Sequence, residues 1–553
     1  MPVSNLRTSC ITARLISRPL TALAAACLVQ GVAHAATLPA PPKTFDSTYA
    51  AQTGATLTVA AGGDLRAALD KAQLGDTIVL EAGATWTGPI KLPNKTGGSG
   101  WIYVVSSRLS SLPHPGTRVS PANAANMPKI LAPNSLSALT TEANSHHFRF
   151  AGIEFATVPG SKQIYQVVTI GNKDTSPATL PSHIVFDRCY VHGEPNSNVR
   201  RGIEMDGAYV AVVDSYITNF QEDGIDSQGL FAFNTTGPLQ IRNNYIEAAT
   251  ENVLFGGADS RTPELLPADI EISNNYFFKP LSLIPSKKYP MKNLLELKVG
   301  QRVAVTGNTF ENNPSHAQTG FAILITPRNQ NGTAPWSVTT DITFTSNVLI
   351  NVGSGINILG QDGYHPTPPP PTLTERILIR DNIIGVTGLN GADGRAFQFY
   401  AGGGNYTIDH NTIINTASAP GSPASDLAMA QSSTNKITNL VFTNNLSSPT
   451  RYGFFGAGVG SGTRALDSNF TDWTFSKNVL VGGSASDYPA GNFFPAGVAA
   501  VGFTNYAGGN FVLAAHSPYR NAGTDGLDIG ATSTPRTNVN IVLPNPPSNV
   551  VVK

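Results

Sequence analysis

The chain is poor in cysteine, and this scarcity limits how it can be stabilised. Its 553 residues contain only three cysteines, of which Cys10 and Cys27 lie in the N-terminal stretch 1–35 and Cys189 stands alone behind it. Once that stretch is removed, no disulfide can form within the chain. An exported protein of this kind must depend on continuous burial of apolar side chains for its stability.

Charged residues are also scarce, at 13% of the chain, whereas glycine (53) and proline (40) are abundant. This composition suits many short strands joined by turns and argues against long surface helices. Residues 1–35 hold three basic and no acidic residues, so the remainder has 36 − 3 = 33 basic against 36 acidic residues. Such a balance gives no indication of nucleic-acid binding. No later run is apolar enough to predict a membrane span.

Residues 1–35 have the pattern of a secretory signal peptide. Arg14 and Arg18 precede the apolar run 20–32, and the stretch Ala-His-Ala at 33–35 forms an A-x-A cleavage site. We expect cleavage after Ala35 and a secreted or periplasmic protein. The alternative is a lipoprotein anchored at Cys27, although Ala24 makes a poor lipobox residue at its position.

A short helix is predicted after a lead-in segment at 36–56. Leu65, Ala68, Leu69 and Ala72 follow helical spacing, and Asp64 stands where an N-cap is expected. The apolar strand 77–80 comes directly after this helix. A helix that covers the first strands of a repeating array protects its open edge from pairing with another chain.

One sequence phrase recurs through most of the chain. It alternates apolar and polar residues, places a small polar residue at a bend and resumes with an apolar pair, as in IEISNNYF and VAVTGNTF. From 189 to 478 it advances by about 32 residues on average, which is typical of a β-solenoid with constant strands and variable loops. Stacked coil on coil, the bend residues should form a hydrogen-bonded ladder: Cys189, Ser215, Asn244, Asn275, Asn308, Asn347, Asn382, Asn411, Asn445 and Asn478.

A second set of strands lies between these phrases, and it should form one parallel sheet with alternate side chains facing outward. The set includes GIEMDG at 202–207, NLLELK at 293–298 and GINILG at 355–360. Its register is expected to place these residues on one long outer face: Glu204, Asp206, Asp226, Gln228, Glu296, Lys298, Leu324, Thr326 and Asn357. We therefore predict an all-β, right-handed parallel β-helix of eleven or twelve coils with an N-terminal capping helix. The predicted segments are a signal peptide (1–35), a lead-in (36–56), the β-helix (57–535) and a Pro/Asn-rich tail (536–553).

Two stretches carry a resemblance to a known group of enzymes. The segment DLRAALDKAQLGDTIVLEAG resembles the N-terminal cap and first coil of secreted β-helix carbohydrate enzymes of the pectate-lyase-like superfamily. The stretch from Glu296 and Lys298 to Arg328 resembles the alginate lyase and chondroitinase B group. This resemblance implies a polysaccharide lyase in which Lys298 is the base, Arg328 is the acid or charge neutraliser, and acidic residues bind Ca²⁺.

Carboxylates on neighbouring coils would repel one another unless a cation joins them. Ca²⁺ takes oxygen ligands of this kind, and the candidate ligands are Glu204, Asp206, Asp226 and Glu296. Lys298 or Arg302 could supply the positive charge instead, and a solvated face with loose ion pairs is the simplest alternative. The residues predicted to bind substrate are Glu204, Arg302, Asn329, Trp336 and Asn357, with groove walls expected at 281–292, 327–338 and 361–374.

Elimination at a uronate requires a base, a cation that offsets the carboxylate and an acid for the leaving group. The first hypothesis is accordingly an exported lyase, acting as a monomer on an acidic polysaccharide. The second is a β-helix glycoside hydrolase that uses Asp223, Asp226 or Glu204 as acid and base. The third is a glycan-binding protein without catalysis, because a fold alone does not determine function.

Overall fold

The computed structural model describes residues 36–171, 174–363, 373–416 and 426–532. The predicted signal peptide with its cleavage site, Cys27 and the predicted tail at 536–553 lie outside the described residues. None of the helices within the described ranges has the length and apolarity needed to span a bilayer.

Three long sheets run the length of the described chain. Sheet 1 has 14 strands: Thr56–Val59, Thr77–Leu80, Ile102–Ser106, His146–Ala151, Ser182–Asp187, Ala208–Val213, Leu239–Arg242, Ala268–Ser273, Gly300–Thr306, Thr339–Thr345, Thr374–Arg380, Gly404–Asp409, Ile437–Thr443 and Phe470–Ser476. Sheet 2 has 13 strands: Ile90–Leu92, Leu139–Thr141, Ile164–Ile170, Val199–Met205, Gln228–Ala232, Glu251–Phe255, Asn293–Leu297, Phe321–Ile325, Ser354–Leu359, Arg395–Tyr400, Asp426–Gln431, Phe454–Gly456 and Gly460–Ser461.

Sheet 3 also has 13 strands: Thr85–Thr87, Lys129–Ala132, Glu154–Thr157, Tyr190–His192, Tyr216–Phe220, Tyr245–Ala248, Tyr276–Phe278, Thr309–Asn313, Val348–Val352, Ile383–Val386, Thr412–Asn415, Leu446–Ser447 and Val479–Leu480. A small antiparallel pair, Phe503–Asn505 with Asn510–Leu513, follows them. The α-helices in the described ranges are Leu65–Lys71 and Thr463–Asn469, and the short 3-10 helices are Leu109–Ser111, Pro121–Asn126, Pro177–Thr179, Pro263–Leu265, Leu281–Ser286, Leu389–Gly391 and Val498–Val501.

Each coil contributes one strand to each sheet, and neighbouring strands pair in parallel apart from the final pair of sheet 2. The architecture is the predicted right-handed parallel β-helix. Among the described residues, twelve coils place a strand in all three sheets, and a last, incomplete coil adds strands to sheets 1 and 3. This number agrees with the eleven or twelve coils expected.

The predicted ladder is present at the bend between sheets 1 and 3. The amide of Asn275 donates to Oδ1 of Asn308 at 2.9 Å, and the amide of Asn308 donates to Oδ1 of Asn347 at the same distance. The ladder begins at Cys189, whose amide donates to Ser215 Oγ, and extends one step beyond the prediction to Asn492. The ladder side chains from Cys189 to Asn478 are buried, so they satisfy backbone groups that water does not reach.

The capping helix is confirmed as Leu65–Lys71. Asp64 is its N-cap, and its carboxylate accepts a hydrogen bond from the amide of Ala67. Leu65 and Leu69 are buried in the main core, so this helix covers the first coil with its apolar face.

The lead-in segment runs along the outer face of sheet 1. The amide of Ala40 donates to Asp341 and the amide of Lys43 donates to Asp269, at 3.0 and 2.9 Å. These acceptors lie two coils apart, about 10 Å, which is also the span of three extended residues. Each aspartate is also bound by a guanidinium, Asp269 by that of Arg302 and Asp341 by that of Arg376, at 2.7 Å. The lead-in is therefore part of the folded structure.

Candidate functional site

A groove of about 430 Å³ lies on the outer face of sheet 2 near its middle. Its floor follows the strand register, in which Glu296 pairs with Leu324 and Leu324 with Asn357 on successive coils. The prediction that these residues share one outer face is confirmed. Nine residues line the groove: Glu296, Lys298, Gln318, Thr319, Leu324, Thr326, Arg328, Gln330 and Asn357.

Lys298 and Arg328 meet in this groove from adjacent coils. Lys298 follows the strand Asn293–Leu297, and Arg328 follows the strand Phe321–Ile325. The amide of Arg328 donates a hydrogen bond to the carbonyl of Lys298 at 2.9 Å. The expected placement of a lysine and an arginine on neighbouring coils is confirmed, while their catalytic roles stay predictions.

Glu296 forms the buried side of the groove. Its carboxylate Oε1 lies 3.7 Å from Nζ of Lys298, and Oε2 is buried with no hydrogen-bond partner among the described residues. Burial raises the pKa of Glu296, and the neighbouring charges of Lys298 and Lys292 oppose that shift. The groove thus has a carboxyl group whose protonation depends on the cations around it.

Arg328 is held in place by a residue that sequence reasoning missed. Its Nη1 lies 2.6 Å from the carboxylate of Asp362, whose side chain is fully buried. The same carboxylate accepts a hydrogen bond of 2.9 Å from the backbone amide of Asn329. Asp362 follows the strand Ser354–Leu359 in an extended loop, where no repeated phrase marks it.

Asn329 and Trp336, predicted to bind substrate, do not line the groove. Asn329 is buried, and its side chain accepts the amide of Ala334 at 2.8 Å, which shapes the insert at 327–338. Trp336 is half-buried in the same insert, with a buried Nε1 that has no partner among the described residues. Both residues belong to the insert at 327–338 without lining the groove, whereas Asn357 is part of the groove lining.

A second charged cluster lies beside the groove, around Lys292. Its ammonium contacts the carboxylate of Asp226 and lies 3.8 Å from Oε1 of Glu251. Glu251 is almost fully buried, and Gln228 donates to it at 2.8 Å. Burial, and then the charge of Glu296, raise the pKa of Glu251 to about 8. Sequence reasoning identified Asp226 but missed Glu251 and Lys292, since Glu251 begins a strand that otherwise showed no outward charge.

Glu204 and Asp206 are buried outside the groove lining, and protein donors bind both carboxylates. Gln166 donates to Glu204 at 2.7 Å, and the amides of Phe233 and Asn234 donate to Asp206 Oδ1 at 2.8 and 3.0 Å. Burial raises the pKa of both carboxyl groups. Asp206 thereby anchors the turn after the strand Gln228–Ala232, and Glu204 packs within sheet 2.

The four predicted Ca²⁺ ligands do not form one site. Glu204 and Glu296 occupy the same row but are separated by Phe231 and Leu254 on the intervening coils. Three coil steps amount to about 14 Å, whereas two oxygens bound to one Ca²⁺ lie at most about 5 Å apart. Across the described ranges, no group of three or more acidic, His or Cys side chains has a metal-binding arrangement.

Two further predicted residues lie away from the groove. Arg302 belongs to sheet 1, where its guanidinium binds Asp269, so its assignment to substrate was wrong. Asp223 is exposed in the turn after the strand Tyr216–Phe220, 3.9 Å from Lys288. Asp223 is therefore a turn residue, a position that aspartate commonly occupies.

The fold and the groove define a parallel β-helix protein with a charged cleft on one sheet. No family model and no curated protein matches the sequence. Among solved structures, the chain is similar to the PL6 family alginate lyase AlyGC, with 14% identity and a TM-score of 0.47 over 78% of this chain and 53% of that one. It thus spans about half the length of AlyGC.

Two other solved structures have comparable similarity. One is a mannuronic acid specific polysaccharide family 6 lyase from human gut microbiota, with 12% identity and a TM-score of 0.41 over 80% of this chain and 91% of that one. The other is a GH87 alpha-1,3-glucanase from Streptomyces thermodiastaticus strain HF3-3, with 12% identity and a TM-score of 0.40 over 82% and 71%. Similarity at this level concerns the fold and assigns no activity.

Proposed function

We propose that this protein is an exported polysaccharide lyase that cleaves an acidic, uronate-containing glycan by β-elimination. One observation carries the proposal: Lys298 and Arg328 line one groove from adjacent coils, joined by a backbone hydrogen bond of 2.9 Å. A base and a cation that line one groove are what elimination beside a carboxylate requires.

In the proposed reaction, Lys298 is the base that removes the proton on the carbon next to the uronate carboxylate. The C–H electrons form the new C=C bond, and the glycosidic C–O bond at the neighbouring carbon breaks. The proton now on Lys298 can pass to the departing oxygen, so one side chain serves both steps. The products are an unsaturated uronate end and a new free hydroxyl, and no oxidant or reductant is needed.

Arg328 acts in this proposal as a charge neutraliser. Its guanidinium lies 2.6 Å from the carboxylate of buried Asp362, and this ion pair fixes the position of the arginine side chain. A permanently charged, positioned guanidinium is well suited to hold a carboxylate through two parallel hydrogen bonds. Of the two roles expected for Arg328, neutralising the substrate carboxylate therefore fits its surroundings better than donating a proton.

Calcium binding remains a prediction, and fewer of the predicted ligand residues line the groove than expected. Glu296 is the member of the predicted ligand set that lines the groove, and one carboxylate is too few for an ion that takes six to eight oxygens. Lys298 and Lys292 already offset its charge. The mechanism above therefore contains no step through a metal, and an assay with EDTA tests this point.

The test is an activity screen on uronate-containing and neutral glycans. It follows the ultraviolet absorbance of unsaturated uronates and the appearance of new reducing ends. We expect absorbance with wild type, its loss in Lys298→Ala, and no change in Lys288→Ala, a matched control at an exposed lysine that lies 3.9 Å from Asp223. Reducing ends without absorbance would indicate hydrolysis, and binding without either signal would indicate a glycan-binding protein.

Export is the second part of the proposal, and it has its own test. Expression in a bacterial host with a Sec system should yield protein outside the cytoplasm that begins at Ala36, as read by N-terminal sequencing. Lipidation at Cys27 would instead place the protein in the membrane fraction. We also propose a monomer, and light scattering of the purified protein checks this.

A further inference from the structure

We infer that the lead-in segment is a clasp, a polyproline II helix in which each turn matches two coils of the β-helix. The clasp comprises residues 37–50 and binds across sheet 1, where it fastens together the coils that also carry the groove. This inference concerns a different sheet from the groove, and it does not depend on the reaction proposed there.

The acceptors of the clasp belong to one row on sheet 1. Five residues hold equivalent positions on five successive coils, each with a left-handed backbone of φ between 53° and 59°: Asp269, Arg302, Asp341, Arg376 and Asn405. Each arginine binds the aspartate of the preceding coil at 2.7 Å. Arginines therefore alternate with acceptors, and an acceptor recurs on every second coil.

The donors of the clasp recur at every third residue. The backbone amides at 43, 40 and 37 donate in turn to Asp269, Asp341 and Asn405, at 2.9, 3.0 and 3.2 Å. Three of the four residues between these donors are prolines, at 39, 41 and 42, and proline has no amide hydrogen that would need an acceptor. Proline and the residue before it also favour the polyproline II conformation.

The repeat of this conformation fits the spacing of the coils. Polyproline II has three residues per turn and rises about 3.1 Å per residue, so one turn spans about 9 Å. Two coil steps span about 10 Å. Each turn of the clasp therefore returns the same face of the segment to the next acceptor in the row. A β-strand repeats every two residues and would not keep this phase.

The second half of the clasp is anchored by burial. Phe45 is buried in a small apolar cluster on sheet 1. The carbonyl of Ser47 accepts a hydrogen bond of 2.7 Å from Nη1 of Arg149, and the same guanidinium lies 3.7 Å from the ring centroid of Tyr49. The clasp is thus fixed on the early coils, and its first half reaches from there to Asn405.

The clasp binds the same coils that form the groove. The strand of Asp269 leads through sheet 3 to Asn293–Leu297, and the strand of Asp341 leads in the same way to Ser354–Leu359. In a solenoid each coil contacts only its neighbours, so single coils can open locally. A clasp that spans several coils must be released before any of them opens, so its binding slows the opening of each.

The first experiment changes the phase of the clasp and removes no donor. One proline inserted between Pro42 and Lys43 moves the amides at 40 and 37 out of step with their acceptors. Ala-Pro-Pro inserted at the same place adds a complete turn and supplies a new amide in step. Hydrogen exchange read by mass spectrometry on Asn293–Leu297 and Ser354–Leu359 measures opening of the groove coils.

We expect exchange in these two strands to be about tenfold faster with one inserted proline, which is about the worth of one lost hydrogen bond to a charged group. Ala-Pro-Pro should restore the wild-type rate. Two substitutions provide an independent comparison. Ala40→Pro removes the amide that Asp341 accepts, so it should also accelerate exchange. Exposed Leu38→Pro retains all three donors, and it should not accelerate exchange.

Exchange that one inserted proline leaves unchanged would overturn the inference. Equal acceleration by both insertions would refute the match between turn and coils. If the protein with one inserted proline does not fold, the comparison of Ala40→Pro with Leu38→Pro decides: faster exchange in Ala40→Pro alone supports the clasp, and equal rates refute it. Each of these results is independent of whether the groove catalyses elimination.

Discussion

The guanidinium of Arg328 lies 2.6 Å from the carboxylate of Asp362, a residue of the next coil whose side chain is fully buried. Asp362 also accepts the amide of Asn329, so one carboxylate holds both the arginine side chain and the backbone beside it. The position of the arginine in the groove is therefore set by three successive coils: its own, that of Lys298 and that of Asp362.

Asp362→Asn should lower activity more than stability. The asparagine side chain can still accept the hydrogen bond from the backbone amide of Asn329, but it has no charge to orient Arg328. We therefore expect kcat/KM to fall about tenfold to a hundredfold. The loss in free energy of unfolding should be about 1–3 kcal/mol. Kinetics and urea unfolding measure the two effects. Asp259→Asn, which alters the carboxylate that accepts amides of Asn331 and Thr333 in the same insert, is the control. Equal loss of activity in both variants would contradict the positioning role.

Asn308→Ala should destabilise the fold without a specific effect on catalysis. The Asn308 side chain accepts the amide of Asn275 and donates to the carbonyl of Ile272, and it is buried. Its removal leaves both backbone groups unsatisfied, at a cost of about 2–4 kcal/mol. Thermal and urea unfolding measure the loss, and exposed Asn331→Ala serves as the matched control. A ladder variant as stable as wild type would show that water replaces the missing amide.

Stability should depend on pH through Glu251. Burial raises its pKa in the folded protein to about 8, above the ordinary value of 4.5. The folded state therefore holds a proton that the unfolded state releases, so this contribution is complete below pH 4.5 and is lost as pH rises towards 8. The free energy of unfolding of wild type and of Glu251→Gln, measured between pH 5 and pH 9, checks whether stability falls as pH rises. Each tenfold difference in proton affinity between the folded and unfolded states corresponds to about 1.4 kcal/mol. A free-energy difference between the two proteins that does not change across this range would rule the linkage out.

Lys43→Pro should loosen the lead-in segment. The substitution removes the amide that donates to Asp269 at 2.9 Å, whereas Lys43→Ala removes the side chain and retains that amide. We expect Lys43→Pro to lower the free energy of unfolding by about 1 kcal/mol relative to Lys43→Ala. Limited proteolysis of the first residues should accelerate in parallel. Identical behaviour of the two variants would mean that the side chain, not the amide, anchors the segment.

Sequence reasoning succeeded where a pattern repeats. The bend asparagines recur in the same phrase coil after coil, and one hydrogen-bonding requirement, that of the buried backbone at the bend, explains every member. The capping helix was equally readable, because Asp64 and the spacing of Leu65 and Leu69 follow from local helix geometry. The coils before Cys189 lack the phrase, so the repeat alone does not mark their strands.

The site was only partly readable because it depends on which coil meets which. Alternation along single strands placed Glu296, Leu324 and Asn357 on one face, and the strand register agrees. The alternation of apolar and polar residues could not show that Phe231 and Leu254 separate Glu204 from Glu296. It also did not assign Arg302 to sheet 1. Loop lengths vary between coils, so charges near in sequence can lie on different sheets.

The sequence by itself determined the β-helix, its capping helix and the strand that places Lys298 on an outer face, since each follows from local periodicity and a repeated bend. Only the tertiary structure decided which charges face the groove. Asp362 binds Arg328, Lys292 joins Asp226 to Glu251, and the N-terminal amides reach Asp269 and Asp341. These contacts join residues far apart in the chain, and their distances are set by the stacking of coils and the course of the loops, which periodicity does not encode.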